Sequence, residues 1–157
     1  MQLRKFQAKD AGRVAELVGN YEVSKWTSSI PYPYSIEDAA AWIQSTASDT
    51  FRHPYAVVTN NELVACVSYW PDETGGIEVG YWVGQEYWGK GVATQALQAL
   101  LSADFFPEDD RVVARIMEGN IGSERVLEKC GFKLIESCII ECRGQSIASR
   151  LFIRQSH

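Results

Sequence analysis

Two glycines separated by one lysine form the stretch of this sequence best suited to bind an anion. Gly89, Lys90 and Gly91 follow the strand-like run "IEVGYWV" and precede a helical pattern. The first turn of a helix carries unpaired N–H groups and the positive end of the helix dipole, which together suit a phosphate. Glycine lacks a Cβ, so a ligand can approach the main chain closely there. The turn is therefore either a phosphate site or an ordinary tight turn.

Other common site patterns are absent from the sequence. The Walker pattern needs four residues between its glycines, and the dinucleotide fingerprint needs a third glycine where Thr94 stands. The two histidines are too isolated for a metal site, so we expect no metal. The four cysteines lack C-x-x-C spacing, and we expect reduced, partly buried thiols.

The first third of the chain predicts one strand and two helices. "QLRKF" is typical of a short strand, and Asp10 is placed to cap a helix that runs to about Gly19. Residues 20–34 are rich in aromatics and prolines and are expected to be irregular. Ser35 and Asp38 stand near capping-box spacing at the start of a helix to about Thr46.

The rest of the chain predicts a mixed α/β domain around one sheet. A hairpin of "YAVVT" and "ELVACVSYW" precedes "IEVGYWV", and an amphipathic helix then leads to the buried strand "RVVARIM". Asn120 should cap the next helix, and Gly131 suits its left-handed end. A hairpin around residues 143–145 closes the chain. Antiparallel hairpins thus flank a central βαβ crossover.

Composition and charge limit the partners. The 157 residues fit one domain, 1–157, and 46% are apolar, as in soluble globular proteins. The net charge of −5 and the lack of a basic stripe argue against nucleic acid. No apolar run approaches the roughly 20 residues of a membrane helix. We expect a cytoplasmic protein with no membrane partner, as a monomer or homodimer.

Several motifs together resemble the GNAT N-acetyltransferases, in particular the RimJ/RimL-like branch. The family pattern [QR]-x-x-G-x-[GA] is matched from Gly89 to Ala93, although its first position departs here. "NIGSERVLEKCGF", residues 120–132, resembles the branch's next motif. "IEVGYWV" resembles its fourth strand, and "PYPYSIEDAAAWI" resembles its N-terminal substrate region. The resemblance spans nearly the whole chain in order.

The resemblance implies a GNAT-like fold and acetyl-CoA as co-substrate. The fold would be a mixed, mostly antiparallel sheet of about six to seven strands and about four helices. Its central parallel pair, "IEVGYWV" and "RVVARIM", would splay to admit acetyl-CoA. An N–H near Trp82 or Val83 would stabilise the thioester oxyanion. The implied cofactor-binding residues are Trp82, Val83, Trp88, Gly89, Lys90, Gly91, Val92, Ala93, Thr94 and Asn120.

Residue chemistry and the family resemblance together indicate the catalytic and acceptor-binding residues. Glu78 is the first choice for the base, because a carboxylate inside a covered strand is costly without a purpose and burial raises its pKa. The alternative is an exposed Glu78 paired with a surface arginine. Many GNAT enzymes use a tyrosine as acid where Leu127 stands, whereas RimJ/RimL-like members offer a serine three residues after the asparagine, here Ser123. The alternative is that Ser123 only caps or packs in the first turn of the helix. Acceptor-side candidates are Trp26, Tyr32 and Tyr34.

The function that the resemblance implies is transfer of an acetyl group from acetyl-CoA to a primary amine. Direct attack in a ternary complex would form an amide and free CoA. The acceptor is expected to be a protein or peptide α-amino group. Alternatives are a small amine (a polyamine, an amino-acid derivative or an aminoglycoside), a non-catalytic acyl-CoA-binding module, or an unrelated domain in which the glycine turn holds nothing.

Overall fold

The computed structural model describes residues 1–155. Its helices are α1 (Ala11–Val18), α2 (Tyr21–Ser24), α3 (Ile36–Thr46), α4 (Val92–Leu101) and α5 (Ile121–Lys129). Its strands are β1 (Gln2–Arg4), β2 (His53–Thr59), β3 (Glu62–Pro71), β4 (Ile77–Val83), β5 (Arg111–Met117), β6 (Lys133–Cys142) and β7 (Gln145–Gln155). None of these helices is long and apolar enough to cross a membrane.

The strands form one sheet in the order β1-β2-β3-β4-β5-β7-β6. Neighbouring strands are antiparallel except β4 and β5, which are parallel. This parallel pair is joined only at Ile77 with Val112 and at Glu78 with Val113, and the two strands part beyond these residues. Because β4 stays paired with β3 as far as Val83, the gap opens on the β5 side alone. The predicted splayed parallel pair in a mostly antiparallel sheet is confirmed.

Helices cover both faces of the sheet. On one face α4 packs through Leu97 and Leu100, which are fully buried. On the other face α1 packs through Val14 beside α3. Side chains alternate along a strand, so Val83 belongs to the first core and Trp82 borders the second. Strand β4 therefore contributes to both sides of the protein.

The start of the chain departs from prediction in two places. Asp10 precedes α1, but its side chain does not cap that helix. Instead it accepts a hydrogen bond from the N–H of Gln7 and pairs with Arg4 at 2.8 Å, because a buried carboxylate requires partners. The segment 20–34 is also not wholly irregular, since it contains α2, which brings the helices to five. Asn20 caps α2 by accepting from the N–H of Glu22 at 2.9 Å.

The other local predictions are confirmed. Ser35 and Asp38 form a reciprocal capping box, with bonds of 3.1 and 2.9 Å. Gly131, with φ +90°, follows the end of α5 in the left-handed conformation that glycine favours. The β6–β7 hairpin turns through Arg143 and Gly144, both at positive φ. The cysteines are free thiols, three buried and one partly exposed: Cys66, Cys130, Cys142 and Cys138.

Candidate active site

A large cleft opens where β4 and β5 part. Its volume is about 1380 Å³, larger than the roughly 300–1,000 Å³ typical of a pocket for one small ligand. The walls come from the glycine turn, the N-terminus of α5, the exposed stretch of β4 and the segment before α3. One cleft thus has room for two reactants side by side.

The glycine turn forms one end of this cleft. Gly89 and Gly91 have φ of +75° and +78°, a conformation that residues with a Cβ rarely adopt. A Cβ on Gly89 would meet nothing within 4 Å, so the space above the turn is open. The first helical bond of α4 runs from the Gln95 N–H to the Gly91 carbonyl, and no side chain caps the helix. The N–H groups of residues 92–94 are therefore available to an anion, as the sequence predicted.

The flanking residues of the turn have different environments. Trp88 lines the cleft, and its indole Nε1 donates to the Val83 carbonyl at 2.9 Å. This bond ties the turn to the end of β4. Val92, Ala93 and Thr94 also line the cleft. The Lys90 side chain is exposed at the surface and does not line it.

The main chain of β4 presents alternate residues to the opening. The Gly84 N–H donates to the Val64 carbonyl of β3 at 2.9 Å. Because main-chain groups point to opposite sides at successive residues, Trp82 also faces β3, whereas Tyr81 and Val83 face the gap. Of the two predicted oxyanion donors, Val83 therefore directs its N–H into the gap. Trp82 reaches the cleft through its side chain instead.

Glu78 lies in the cleft at the point where the strands part. Its side chain is 15% exposed and pairs with Arg115 of β5 at 2.7 Å. The same Arg115 nitrogen also contacts Asp72 at 2.7 Å, and Asp72 is held by Arg111 at 3.0 Å as well. The sequence left open a buried Glu78 or an exposed one paired with an arginine. In the structure Glu78 is largely buried and is also paired with an arginine.

The carboxylates of this network have opposite pKa shifts. Burial raises the pKa of Glu78, with the nearby charge of Asp72 adding to the rise and Arg115 opposing it. Burial also acts to raise the pKa of Asp72, but bonds from Thr74, Arg115 and Arg111 outweigh it and lower the pKa to about 2. Glu78 is therefore the carboxyl group nearer to a useful base at neutral pH.

The N-terminus of α5 forms the wall opposite β4. Asn120 Oδ1 accepts from the Ser123 N–H at 3.4 Å, so Asn120 caps the helix as predicted. Both residues line the cleft. The Tyr81 hydroxyl donates to the Ser123 carbonyl at 3.4 Å across the opening. Leu127 is fully buried and does not line the cleft.

The other end of the cleft is aromatic and acidic. Trp26 and Tyr34, two of the residues predicted for the acceptor side, line it. Tyr32 does not join them, because its ring is 47% exposed and packs edge-on against Tyr21 outside the cleft. All the tryptophans of the chain line the cleft: Trp26, Trp42, Trp70, Trp82 and Trp88. Exposed carboxylates border this end: Asp38, Asp49, Glu73 and Glu141.

Sequence reasoning missed three polar residues of the cleft. Arg115 interrupts the apolar run "RVVARIM", and a charge within a buried strand was a usable signal for it. Asp72 stands in a turn-like segment, where a carboxylate is normally exposed, yet its side chain is 1% exposed. Tyr81 reads as an ordinary strand aromatic, and only the splay of β4 reveals its position.

Comparison with known proteins decides the family. Residues 1–133 match the family described as Acetyltransferase (GNAT) domain. The chain belongs to the GNAT acetyltransferases. This GNAT acetyltransferase is 30% identical over 145 residues to YdaF of Bacillus subtilis, an N-acetyltransferase provisionally named as ribosomal. The match covers 83% of this chain and 76% of that protein.

Solved structures share the fold of this GNAT acetyltransferase. A provisionally named ribosomal-protein-serine acetyltransferase of Vibrio cholerae superposes with a TM-score of 0.84 at 22% identity, over 99% of this chain and 93% of that one. RimJ of Mycobacterium smegmatis, solved with a CoA disulfide, superposes with a TM-score of 0.82 at 18% identity. The match covers 98% of this chain and 81% of that one. The predicted family is confirmed, and the protein is an acetyl-CoA-dependent N-acetyltransferase.

Proposed function

We propose that this enzyme acetylates the α-amino group of a peptide or protein, by direct attack while both substrates are bound. The observation that carries the proposal is the large cleft, which joins the glycine turn to the buried carboxylate of Glu78 on the preceding strand. When bound, acetyl-CoA supplies an activated thioester. The acceptor amine enters from the aromatic end.

Direct attack is supported by the state of the cysteine in the cleft. Cys66 lines the cleft, but burial raises its pKa to about 12. A thiol with this pKa stays protonated near neutral pH and is a poor nucleophile, because the thiolate is the reactive form. An acetyl-cysteine intermediate at Cys66 is therefore disfavoured, and both substrates must meet in the cleft.

Main-chain donors would hold the CoA moiety. The N–H groups at residues 89–94 would bind its pyrophosphate, since those of residues 92–94 precede the first helical bond and the space above Gly89 is open. Asn120 uses its oxygen as the helix cap, which leaves its amide N–H₂ to donate to the pantetheine arm. Trp88, Trp82 and Val83 would line the path between them.

Glu78 would remove a proton from the acceptor, directly or through a water. An ammonium cannot attack, so the incoming amine must be deprotonated. The raised pKa of Glu78 suits this task, and Arg115 fixes its carboxylate at 2.7 Å. Ser123 would donate a hydrogen bond from its hydroxyl to the leaving sulfur. The N–H of Val83 would stabilise the thioester oxyanion.

The acceptor assignment is supported by the acceptor end of the cleft and by two relatives. Trp26 and Tyr34 offer aromatic faces, and the bordering carboxylates favour a cationic amine over an anionic one. YdaF is named as a ribosomal N-acetyltransferase, and the Vibrio cholerae structure as a ribosomal-protein-serine acetyltransferase. The same carboxylates also suit a polyamine, which is the second candidate. A cytoplasmic location and a monomeric or homodimeric state stay predictions.

A binding and acceptor screen tests the proposal. Acetyl-CoA and CoA should raise the melting temperature, whereas ATP and NAD at matched concentrations should not. Thiol release is then measured with peptides bearing a free α-amino group, with their Nα-acetylated counterparts, and with spermidine. Release with free peptides alone supports the proposal. Release with spermidine alone favours the second candidate, and the absence of any melting shift contradicts the CoA site.

The Glu78→Gln variant tests the base. Turnover at neutral pH should fall while the dissociation constant of acetyl-CoA stays unchanged, because Glu78 lies away from the glycine turn. The raised pKa of Glu78 places the acid limb of the wild-type pH–rate profile above the ordinary range of glutamate. Equal turnover of the variant and wild type across the pH series would remove Glu78 from the mechanism.

A further inference from the structure

Tyr81 lines the cleft and has no role in the proposed function so far. It lies on β4, three residues beyond the last pairing with β5, so its main chain faces the gap. Its side chain crosses toward α5, where the hydroxyl donates to the Ser123 carbonyl at 3.4 Å. A bond of this length is weak and is easily exchanged for a better acceptor.

The position of the hydroxyl matters because the expected acid is missing. Leu127 is fully buried and carries no proton donor. Ser123 is on the same helix, at the edge of the cleft. Tyr81 brings a second hydroxyl to the same place from the opposite wall. The Tyr81 hydroxyl and Ser123 therefore lie next to each other between β4 and the first turn of α5, where the strands are open.

We propose that Tyr81 is a catalytic residue whose hydroxyl donates a hydrogen bond to the sulfur of CoA as the thiolate leaves. The assignment rests on the proposed binding of acetyl-CoA along β4. As the acceptor nitrogen bonds to the carbonyl carbon, the carbon–sulfur bond breaks and sulfur keeps the electron pair. The nitrogen proton passes toward Glu78, and Tyr81 exchanges its bond to Ser123 for one to sulfur.

Tyr81 acts by hydrogen bonding and retains its proton. Burial raises its pKa to about 12, whereas an ordinary thiol has a pKa of about 8.5. Complete proton transfer from Tyr81 to the thiolate is thus unfavourable by roughly a thousandfold. A hydroxyl that stays protonated at every working pH is nevertheless a permanent donor, and it stabilises charge only when the thiolate develops.

Removal of the hydroxyl is the direct test. Tyr81→Phe should lower kcat roughly 10- to 100-fold with the best acceptor of the panel, while the dissociation constant of acetyl-CoA stays within about twofold. A purely structural role would weaken acetyl-CoA binding as well, because α5 would shift. A kcat within twofold of wild type would overturn the assignment.

Tyr69→Phe is the matched control. The Tyr69 hydroxyl also donates to a main-chain carbonyl, that of Phe105, at the same 3.4 Å, and Tyr69 is buried in the core outside the cleft. Tyr69→Phe loses this bond and the hydrogen bond with Tyr55, both away from the cleft, so kcat should not change. An equal loss of kcat in both variants would point to a general loss of packing and would contradict a role for Tyr81.

A second measurement needs no acceptor. The pKa of the bound CoA thiol is followed by the ultraviolet absorbance of its thiolate, with a desulfo-CoA complex as the blank. The hydroxyl should stabilise the thiolate, so Tyr81→Phe should raise this pKa, whereas Tyr69→Phe should not. An unchanged pKa would overturn the assignment. Failure of wild type to bind CoA would instead refute the proposed function, before any variant is compared.

Ser123→Ala separates the two hydroxyls. If Tyr81 is the donor, Ser123→Ala should change kcat and the thiol pKa less than Tyr81→Phe does. If both bind the same sulfur, the double variant should lose less than the product of the single effects. A large effect of Ser123→Ala beside a silent Tyr81→Phe would return the role to Ser123.

Discussion

Replacement of Asp72 by asparagine should destabilise the fold by removing a charge and one hydrogen-bond acceptor. Its side chain is 1% exposed and is held by Arg111 at 3.0 Å and Arg115 at 2.7 Å. These partners and Thr74 lower its pKa from the ordinary 3.8 to about 2. Each pKa unit corresponds to about 1.4 kcal/mol, so ionised Asp72 stabilises the folded state by roughly 2.5 kcal/mol at neutral pH. Asparagine keeps the shape, removes the charge and replaces one accepting oxygen by a donating NH₂ group.

The stabilisation by ionised Asp72 depends on pH in a defined direction. Because the folded-state pKa of Asp72 is depressed, the stabilisation is complete above its ordinary value and is lost as the pH falls from about 4 to about 2. Urea unfolding should show a deficit for Asp72→Asn of roughly 2–3 kcal/mol at pH 7 and clearly less at about pH 3.

A neighbouring carboxylate supplies the control for Asp72. Glu73 is exposed in the same turn, and Glu73→Gln should change the unfolding free energy by less than about 0.5 kcal/mol. A deficit of Asp72→Asn that is the same at both pH values would show that the loss comes from packing. An absent deficit at pH 7 would show that the ion pairs contribute no net stability.

Three further variants test the turn, the acceptor segment and a cap. Gly91→Ala should weaken acetyl-CoA binding, measured by calorimetry, about tenfold, and Gly91→Trp should abolish it. The control Gly144→Ala, at a similar positive φ outside the cleft, should leave the dissociation constant unchanged. Arg143 donates to main-chain carbonyls of residues 24–30, the segment proposed to bind the acceptor. Arg143→Ala should therefore raise the KM for the acceptor about 3- to 10-fold while the affinity for acetyl-CoA stays unchanged. An unaltered KM would contradict this role. Ser35→Ala should lower the free energy of urea unfolding by about 1 kcal/mol. An unchanged free energy of unfolding would show that the capping box does not stabilise the fold.

The sequence predicted the fold where local patterns and spacing determine it. The turn at Gly89 and Gly91 needs positive φ, the cap at Ser35 needs a short polar side chain, and alternation identifies the strands. These signals are local and survive in a single sequence. The short helix α2 escaped because four residues carry no helical period, and its capping residue Asn20 also suits a loop.

The site was harder to predict because its residues meet across strands. Glu78 was found from its place in a strand, but its partner Arg115 is 37 positions away and is joined to it only by the parallel pairing. Tyr81 was missed because the splay that exposes it is a property of two strands together. Tyr32 was grouped with Trp26 and Tyr34 by proximity in sequence, yet it packs against Tyr21 outside the cleft.

The distribution of tryptophan makes the emission of this protein a local signal. None of the five tryptophan side chains is fully buried, and each of them lines the cleft. Excitation of tryptophan therefore samples the cleft wall, and a bound purine or aromatic side chain that stacks there will quench or shift the spectrum. The same property separates two unfolding signals, since fluorescence will follow opening of the cleft while circular dichroism follows loss of the sheet. The chain thus carries its own optical label for ligand titration.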